Sequence, residues 1–372
     1  MRGHVCKRSK NSWTVVVELP RDPVTNKRRQ KWVTIIGTKK EAEKELARLI
    51  NELETGFYTK PSKTTLSEYL TMWLEITKGK VRETTWNEYQ QRVNRWKSTE
   101  IAAIPLQKIT PMDIELTLQN MKQDFNLNPA RVKVLYVTAK EAFKKALLLN
   151  LISTNPFDAV DPPKVIQKEM KVWTKEEAAI FLKAIANHKY YALFYLALKS
   201  GARLGELMAL QWKDIDFEKN KIQIKCTAAY LPEGKFILQQ PKTNSANRTI
   251  PVNDSVIDVL KKHKKNNTEK ALKLGFGYVP WVFWSKKTGR PPHVTGIGKA
   301  FAMLIKKAKV PAIRFHDLRH THATFLLEAS VHPKIVAERL GHSSIQITMD
   351  RYSHVLPNTQ KEAVKAIEGI GF

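Results

Sequence analysis

The chain has 372 residues, too many for a single hydrophobic core, and 42% of them are hydrophobic, enough to bury at least one. Its 63 lysines and arginines face 35 acidic residues, a formal charge of +28, which points to nucleic acid first and an anionic membrane surface second. No run of about 18 apolar residues exists to span a bilayer, and two distant cysteines, Cys6 and Cys226, fit a reducing compartment and are too few for a zinc finger.

The opening MRGHVCKRSKNSW has no apolar segment and does not read as a signal peptide. SWTVVVEL and QKWVTIIG are β-branched and read as two strands, separated by the turn chemistry of PRDPVTNKRR. TKKEAEKELARLINELETG opens with a capping box, Thr38 with Glu41, and continues at helical spacing. Residues 1–58 therefore form a small sheet-plus-helix module. Between residues 2 and 40 stand 11 basic and two acidic side chains. A strand ribbon with that charge can enter a major groove, with Arg28, Arg29 and Lys31 as the expected contacts.

Residues 62–155 read as all helix. LSEYLTMWLEI is amphipathic, TTWNEYQQRVNRW follows, and TPMDIELTLQNM has Thr110 as cap and Pro111 at its first position. NPARVKVLYVTAKEAFKKALLLNLI makes a long fourth helix, so a compact bundle is expected. STNPFDAVDPP marks a boundary. A larger domain occupies 168–372. TKEEAAIFLKAI has a second capping box, Thr174 with Glu177, and YYALFYLALKSG is apolar on all sides and buried. KIQIKC, KFILQ and RTIPV are short strands, and the chain after 295 returns to helix. The fold class is thus multidomain: the N-terminal module, a helical bundle, and a mainly α domain with a small antiparallel sheet.

The unusual chemistry begins at HDLRH, residues 316–320. His316, Arg319, His320 and His322 lack the spacing and the companions of a metal site. Basic groups at a helix N-terminus suit an anion instead. His316 and Arg319 share a face; Asp317 reads as a local cap or partner, and His320 and His322 as packing or supporting histidines. In SGARLGELMALQW, Arg203 begins at a buried turn and needs a carboxylate or phosphate, with Glu206 to hold it. Lys242 sits in the polar turn of QPKTNSANRTIPV. His342 follows Gly341, and Tyr352 comes ten residues later.

These types suit one reaction. Arginine forks grip the non-bridging oxygens of a phosphodiester and stabilise a phosphorane without a metal. A tyrosine hydroxyl serves as nucleophile and a lysine protonates the departing 5′ oxygen.

ARLGEL, HDLRHTHAT, LGHSS and DRYSH occur in the order and spacing of the tyrosine recombinases, and residues 170–372 resemble that family of phage and integrative-element integrases. The resemblance implies that Arg203 and Arg319 are the paired phosphate arginines, His316 the histidine of the His-x-x-Arg motif, His342 the second site histidine, Lys242 the strand-turn lysine and Tyr352 the nucleophile. The bundle resembles the family's core-binding domain and residues 1–58 its arm-binding domain. The implied function is a site-specific recombinase that cleaves and rejoins double-stranded attachment-site DNA through a 3′-phosphotyrosine. It implies core and arm sites, a homotetramer on DNA, a small excision factor and a host DNA-bending protein as partners, and action in the bacterial cytoplasm. No metal, cofactor or membrane is implied. TQKEAVKAIEGI, after the tyrosine, reads as a short helix that must pack on something, either its own domain or, as the resemblance suggests, a neighbouring protomer. A DNA-relaxing enzyme of the type IB topoisomerase kind shares the same residues. A non-catalytic DNA-binding regulator fits the charge but not six reactive residues in family order.

Overall fold

The computed structural model describes residues 3–21, 25–54, 61–166, 170–232, 234–240 and 247–352. The N-terminal module is a three-stranded antiparallel sheet, β1 (Gly3–Ser9), β2 (Ser12–Leu19) and β3 (Arg29–Ile36), with β2 central, followed by helix α1 (Lys39–Glu54). Two strands were expected and three are present. β1 escapes a pattern reading because GHVCKRS is mostly polar; as a basic edge strand it pairs along β2, Val5 opposite Val15. Val15 and Val17 alternate onto one face and pack with Ala42, Leu49 and Leu53 of α1. The capping box forms as read: Glu41 accepts from the Thr38 amide at 2.7 Å, and Thr38 Oγ1 accepts from the Glu41 amide at 3.3 Å.

Helices α2 (Leu66–Thr77), α3 (Glu83–Lys97), α4 (Pro111–Asp124) and α5 (Pro129–Leu148) form the bundle. Each start of α2, α4 and α5 is capped by a side chain, from Thr65, Thr110 and Asn128, which satisfies amides the helix leaves open. The core is aromatic. Trp96 donates its indole N–H to the Leu135 carbonyl at 3.1 Å. Phe157, from the proline-rich stretch, packs edge-on against Trp96 and Tyr136 at 6.0 and 5.4 Å, so Phe157 and Val160 belong to the bundle core.

The second compact unit holds α6 (Lys175–Ala184), α7 (Tyr191–Ser200), α8 (Leu204–Ala209), β4 (Ile215–Asp216), β5 (Lys221–Ile224), β6 (Thr227–Tyr230), β7 (Phe236–Gln239), β8 (Arg248–Pro251), α9 (Asp254–Lys273), α10 (Val294–Ala308), α11 (Asp317–Glu328), α12 (Pro333–Leu340) and α13 (Ile345–Tyr352). It is mainly α, as read, but among the described residues the strands number five: β4, β5 and β8 make one antiparallel sheet, and β6 and β7 a separate hairpin. Trp173, Phe181, Phe194 and Phe301 centre its core. α7 is buried almost throughout, which anchors the turn at Gly201 that leads into α8. The expected C-terminal helix lies outside the described residues. Among the described residues no helix is long and apolar enough to cross a membrane.

Candidate active site

Two glycine turns position two arginines. Gly201 ends α7 at φ 65° and Gly341 ends α12 at φ 69°, left-handed conformations that glycine adopts without strain. At Gly201 a Cβ would lie 2.6 Å from His322 Cδ2 and 2.7 Å from Leu340 Cδ2. The Gly201 carbonyl accepts Arg319 Nη1 at 2.9 Å, and the Gly341 carbonyl accepts Arg203 Nη2 at 3.4 Å. Both guanidiniums thus sit where helix C-terminal carbonyls favour a cation.

Arg203 is the N-cap of α8. Its amide donates to Glu206 Oε2 at 2.9 Å and its Nη1 to Oε1 at 2.7 Å. The same carboxylate takes Arg248 Nη1 at 3.2 Å and Nη2 at 2.9 Å. Burial alone would push the Glu206 carboxyl up, but the bonds and charge of Arg248, then the charge of Arg203, hold it below the usual range. Arg248 was not foreseen. A signal existed: on β8 it shares a face with the fully buried Ile250, so strand alternation turns it inward.

Arg319 lies on α11, 3% exposed. Its Nη2 is buried and has no hydrogen-bond partner among the described residues. A buried orphan donor on a cation is costly; an anion would satisfy it. Burial, with Arg203 beside it, pulls the guanidinium down to about 9, so it remains charged at neutral pH.

α11 is buried nearly all round although it carries two histidines, an arginine and two threonines. Asp317 is used locally: Arg314 donates to it from its amide at 2.7 Å and its side chain at 2.8 and 3.1 Å. His322 Nε2 accepts from Arg339 Nε at 3.0 Å, which leaves Nδ1 to donate to the Leu198 carbonyl at 2.7 Å. His322 therefore ties α11 to the end of α7, ahead of the turn at Gly201. His316 stands at the N-cap position of α11, exposed and without a side-chain capping bond; what burial it has, then Arg319 and Arg203, lower its pKa. His342 is buried against Thr348, Nδ1 to Oγ1 2.7 Å. Burial, Arg319 and Arg203 hold it down to about 3, hence neutral.

Tyr352 ends α13, 1% exposed, among Ala323, Leu327, Val336 and Leu340. Burial pushes its hydroxyl up to about 12. The hydroxyl lies 2.5 Å from His320 Nδ1. That contact joins residues 32 positions apart and has no local sequence signature. The charges of Arg203 and Arg319 reach both His316 and His342, and that of Arg319 reaches Tyr352. Lys242 lies outside the described residues, between β7 and β8. Lys225 follows β5 and donates to Asp214 at 3.1 Å. Arg28, Arg29 and Lys31 belong to the N-terminal module: Arg28 is exposed before β3, Arg29 opens β3 exposed, and Lys31 shares the face of Val33 and Ile35 near Glu45 of α1. No group of three His, Cys, Asp or Glu side chains that could hold a metal occurs among the described residues.

Residues 171–359 match the phage integrase family, and residues 65–122 match its N-terminal SAM-like domain. The chain belongs to the phage integrase family. As such it is a tyrosine-type site-specific DNA recombinase. It is 30% identical over 353 residues to a tyrosine recombinase XerC-like protein of Caldanaerobacter subterraneus subsp. tengcongensis, covering 90% of each chain. It is 26% identical over 370 residues to the ICEBs1 integrase of Bacillus subtilis, covering 98% of this chain and 99% of the other. The fold of this integrase is similar to that of a Tn1549 transposon integrase fragment solved with transposon right-end DNA, TM-score 0.71 at 23% identity, covering 83% of this chain and all of that one. A lambda integrase tetramer bound to a Holliday junction aligns at TM-score 0.59 and 19% identity, covering 95% of each chain.

Proposed function

We propose that this integrase cleaves attachment-site DNA with Tyr352, forming a 3′-phosphotyrosine, and rejoins the strand to a partner duplex. The observation that carries this reading is the pair of guanidiniums, Arg203 and Arg319, held on two glycine carbonyls with an unpartnered Nη2 on Arg319. The forks grip the non-bridging oxygens and stabilise the phosphorane. His316 and His342, kept neutral, donate hydrogen bonds to the same oxygens. Lys242 protonates the departing 5′ oxygen.

Residues 62–155 bind the core site, and residues 1–58 bind arm sites through basic strands that include Arg28, Arg29 and Lys31. Four protomers assemble on DNA, and a small excision factor and a host DNA-bending protein set direction. The reaction belongs in the bacterial cytoplasm, where the attachment DNA lies. Support for the assembly comes from the junction-bound lambda tetramer.

A nicked suicide substrate tests the core of this reading. Wild-type protein should be trapped on a 3′ phosphate, with the adduct mapping to Tyr352, and Tyr352→Phe should trap nothing. An adduct that persists in Tyr352→Phe refutes the assignment. Cleavage should survive a chelator.

A further inference from the structure

The reading above leaves the proton of Tyr352 without a destination. The phenol must lose it as the oxygen attacks. Arginine has no acceptor. His342 Nδ1 is engaged with Thr348. The group in contact with the hydroxyl is His320, itself 4% exposed. It is the one hydrogen-bond partner of that hydroxyl among the described residues. The phenol ring is fixed by the apolar cluster of α11 and α12, so the contact is a built one.

We infer that His320 is a further catalytic residue, which holds the Tyr352 hydroxyl and accepts its proton as the oxygen attacks phosphorus. This rests on Tyr352 being the nucleophile. His320 must then present an unprotonated Nδ1 and receive the O–H. The groups that face it agree with a neutral ring. His316 stands edge-on at 5.0 Å on the same helix, with Asp317 and Arg319 nearby and Arg351 next to Tyr352 on α13. Burial first, then His316, hold the imidazole down to about 4, with Asp317 opposing. A phosphodiester entering beside it adds negative charge and makes the ring more basic when a base is needed.

The step balances. A bond forms between Tyr352 Oη and phosphorus, and the bond from phosphorus to O5′ breaks. The phenolic proton passes to His320 Nδ1, and O5′ leaves with a proton from Lys242, the acid proposed above. Rejoining reverses each transfer: the 5′ hydroxyl gives its proton to Lys242, and Tyr352 recovers its own from the imidazolium. Nothing is consumed.

The test is single-turnover cleavage of a nicked suicide substrate by the full chain, from pH 5 to 9. His320→Asn keeps an oxygen near the place of Nδ1, so it can hold the hydroxyl but not take the proton. It should bind core-site DNA as the wild type does and cleave about 10²- to 10⁴-fold more slowly. Its rate should climb about tenfold per pH unit as hydroxide replaces the base, whereas the wild-type rate should level off above an imidazole-like ionisation. A wild-type rate that itself climbs about tenfold per pH unit across the whole range overturns the inference without reference to any variant. So does a His320→Asn protein with the wild-type rate and profile. An adduct in Tyr352→Phe is a different failure, that of the nucleophile itself.

Discussion

Replacing Glu206 with glutamine should destabilise the catalytic unit more than removing either arginine it binds. The carboxylate is 5% exposed and accepts four donors, two from Arg203 and two from Arg248, at 2.7 to 3.2 Å. Arg248 has a side chain only 7% exposed, and Arg319 is 3% exposed. Glutamine keeps the shape but withdraws the sole carboxylate from the three clustered guanidiniums. Breaking a buried pair by removing one partner costs about 3–5 kcal/mol. For a unit of this size that is about 6–20 °C in melting temperature. Arg203→Ala should cost less, because Arg203 is 38% exposed and Glu206 keeps Arg248. The pH dependence has a definite sign. The folded carboxyl is held below the ordinary 4.5, so its contribution is complete above that value and is lost as pH falls through the lower, folded one. Calorimetry of the full chain at neutral pH and again at low pH gives both comparisons. A Glu206→Gln protein that melts within about 2 °C of wild type at neutral pH would refute the reasoning.

Arg319→Lys should leave core-site binding nearly unchanged and slow cleavage by about 10²- to 10³-fold, since an ammonium cannot bond Gly201 and a phosphate oxygen as a fork does; equal losses in gel-shift affinity and cleavage rate would make Arg319 an anchor only. Lys242→Ala should regain much of its lost rate on a substrate with a 5′-bridging sulfur, because a thiolate leaves without a proton, and a rate that sulfur does not move would send the acid role elsewhere. Arg28→Ala with Arg29→Ala in the full chain should reduce the salt slope of arm-site binding by about two and spare core-site binding; an equal loss on core DNA would contradict the modular reading.

Much of this architecture is legible locally. Thr38 with Glu41 and Thr174 with Glu177 form the boxes their spacing announces, because a cap depends on three neighbouring residues. The all-apolar α7 is buried for the same local reason. Asp317 pairs with Arg314, as a carboxylate three residues away should. What was not legible depends on distant contacts. β1 is too polar to announce itself and exists because β2 offers an open edge. His320 reads as packing until α13 brings Tyr352 back against α11. Arg248 looks like one more surface cation until the β5–β8 pairing sets Arg248 opposite buried Ile224. The residues proposed to meet phosphate were readable as types in order, and Glu206 as a local partner of Arg203; Arg248 and His320 were not, because their contacts are tertiary.

The charge balance of the pocket explains why those holding residues matter. Arg203, Arg248 and Arg319 stand against one carboxylate, Glu206, an excess of two positive charges among these four side chains. Before attack the buried histidines add none: burial, then His316, hold His320 down, and burial with Arg319 and Arg203 holds His342 down. Arg319 is lowered to about 9 first by burial and next by the charge of Arg203, with Glu206 opposing. A bound phosphodiester brings one negative charge and relieves half of that excess. The phosphorane formed on attack carries two on oxygens beside the guanidiniums, while the phenolic proton stays in the site on His320. On the function proposed above, the guanidiniums are more nearly complementary to the charge on the transition-state oxygens than to the substrate, which is the condition for accelerating the chemical step rather than only binding DNA. Glu206 tunes that match: without it the excess would be three, the free protein would be less stable, and the site would grip any phosphate more tightly without distinguishing the one in reaction.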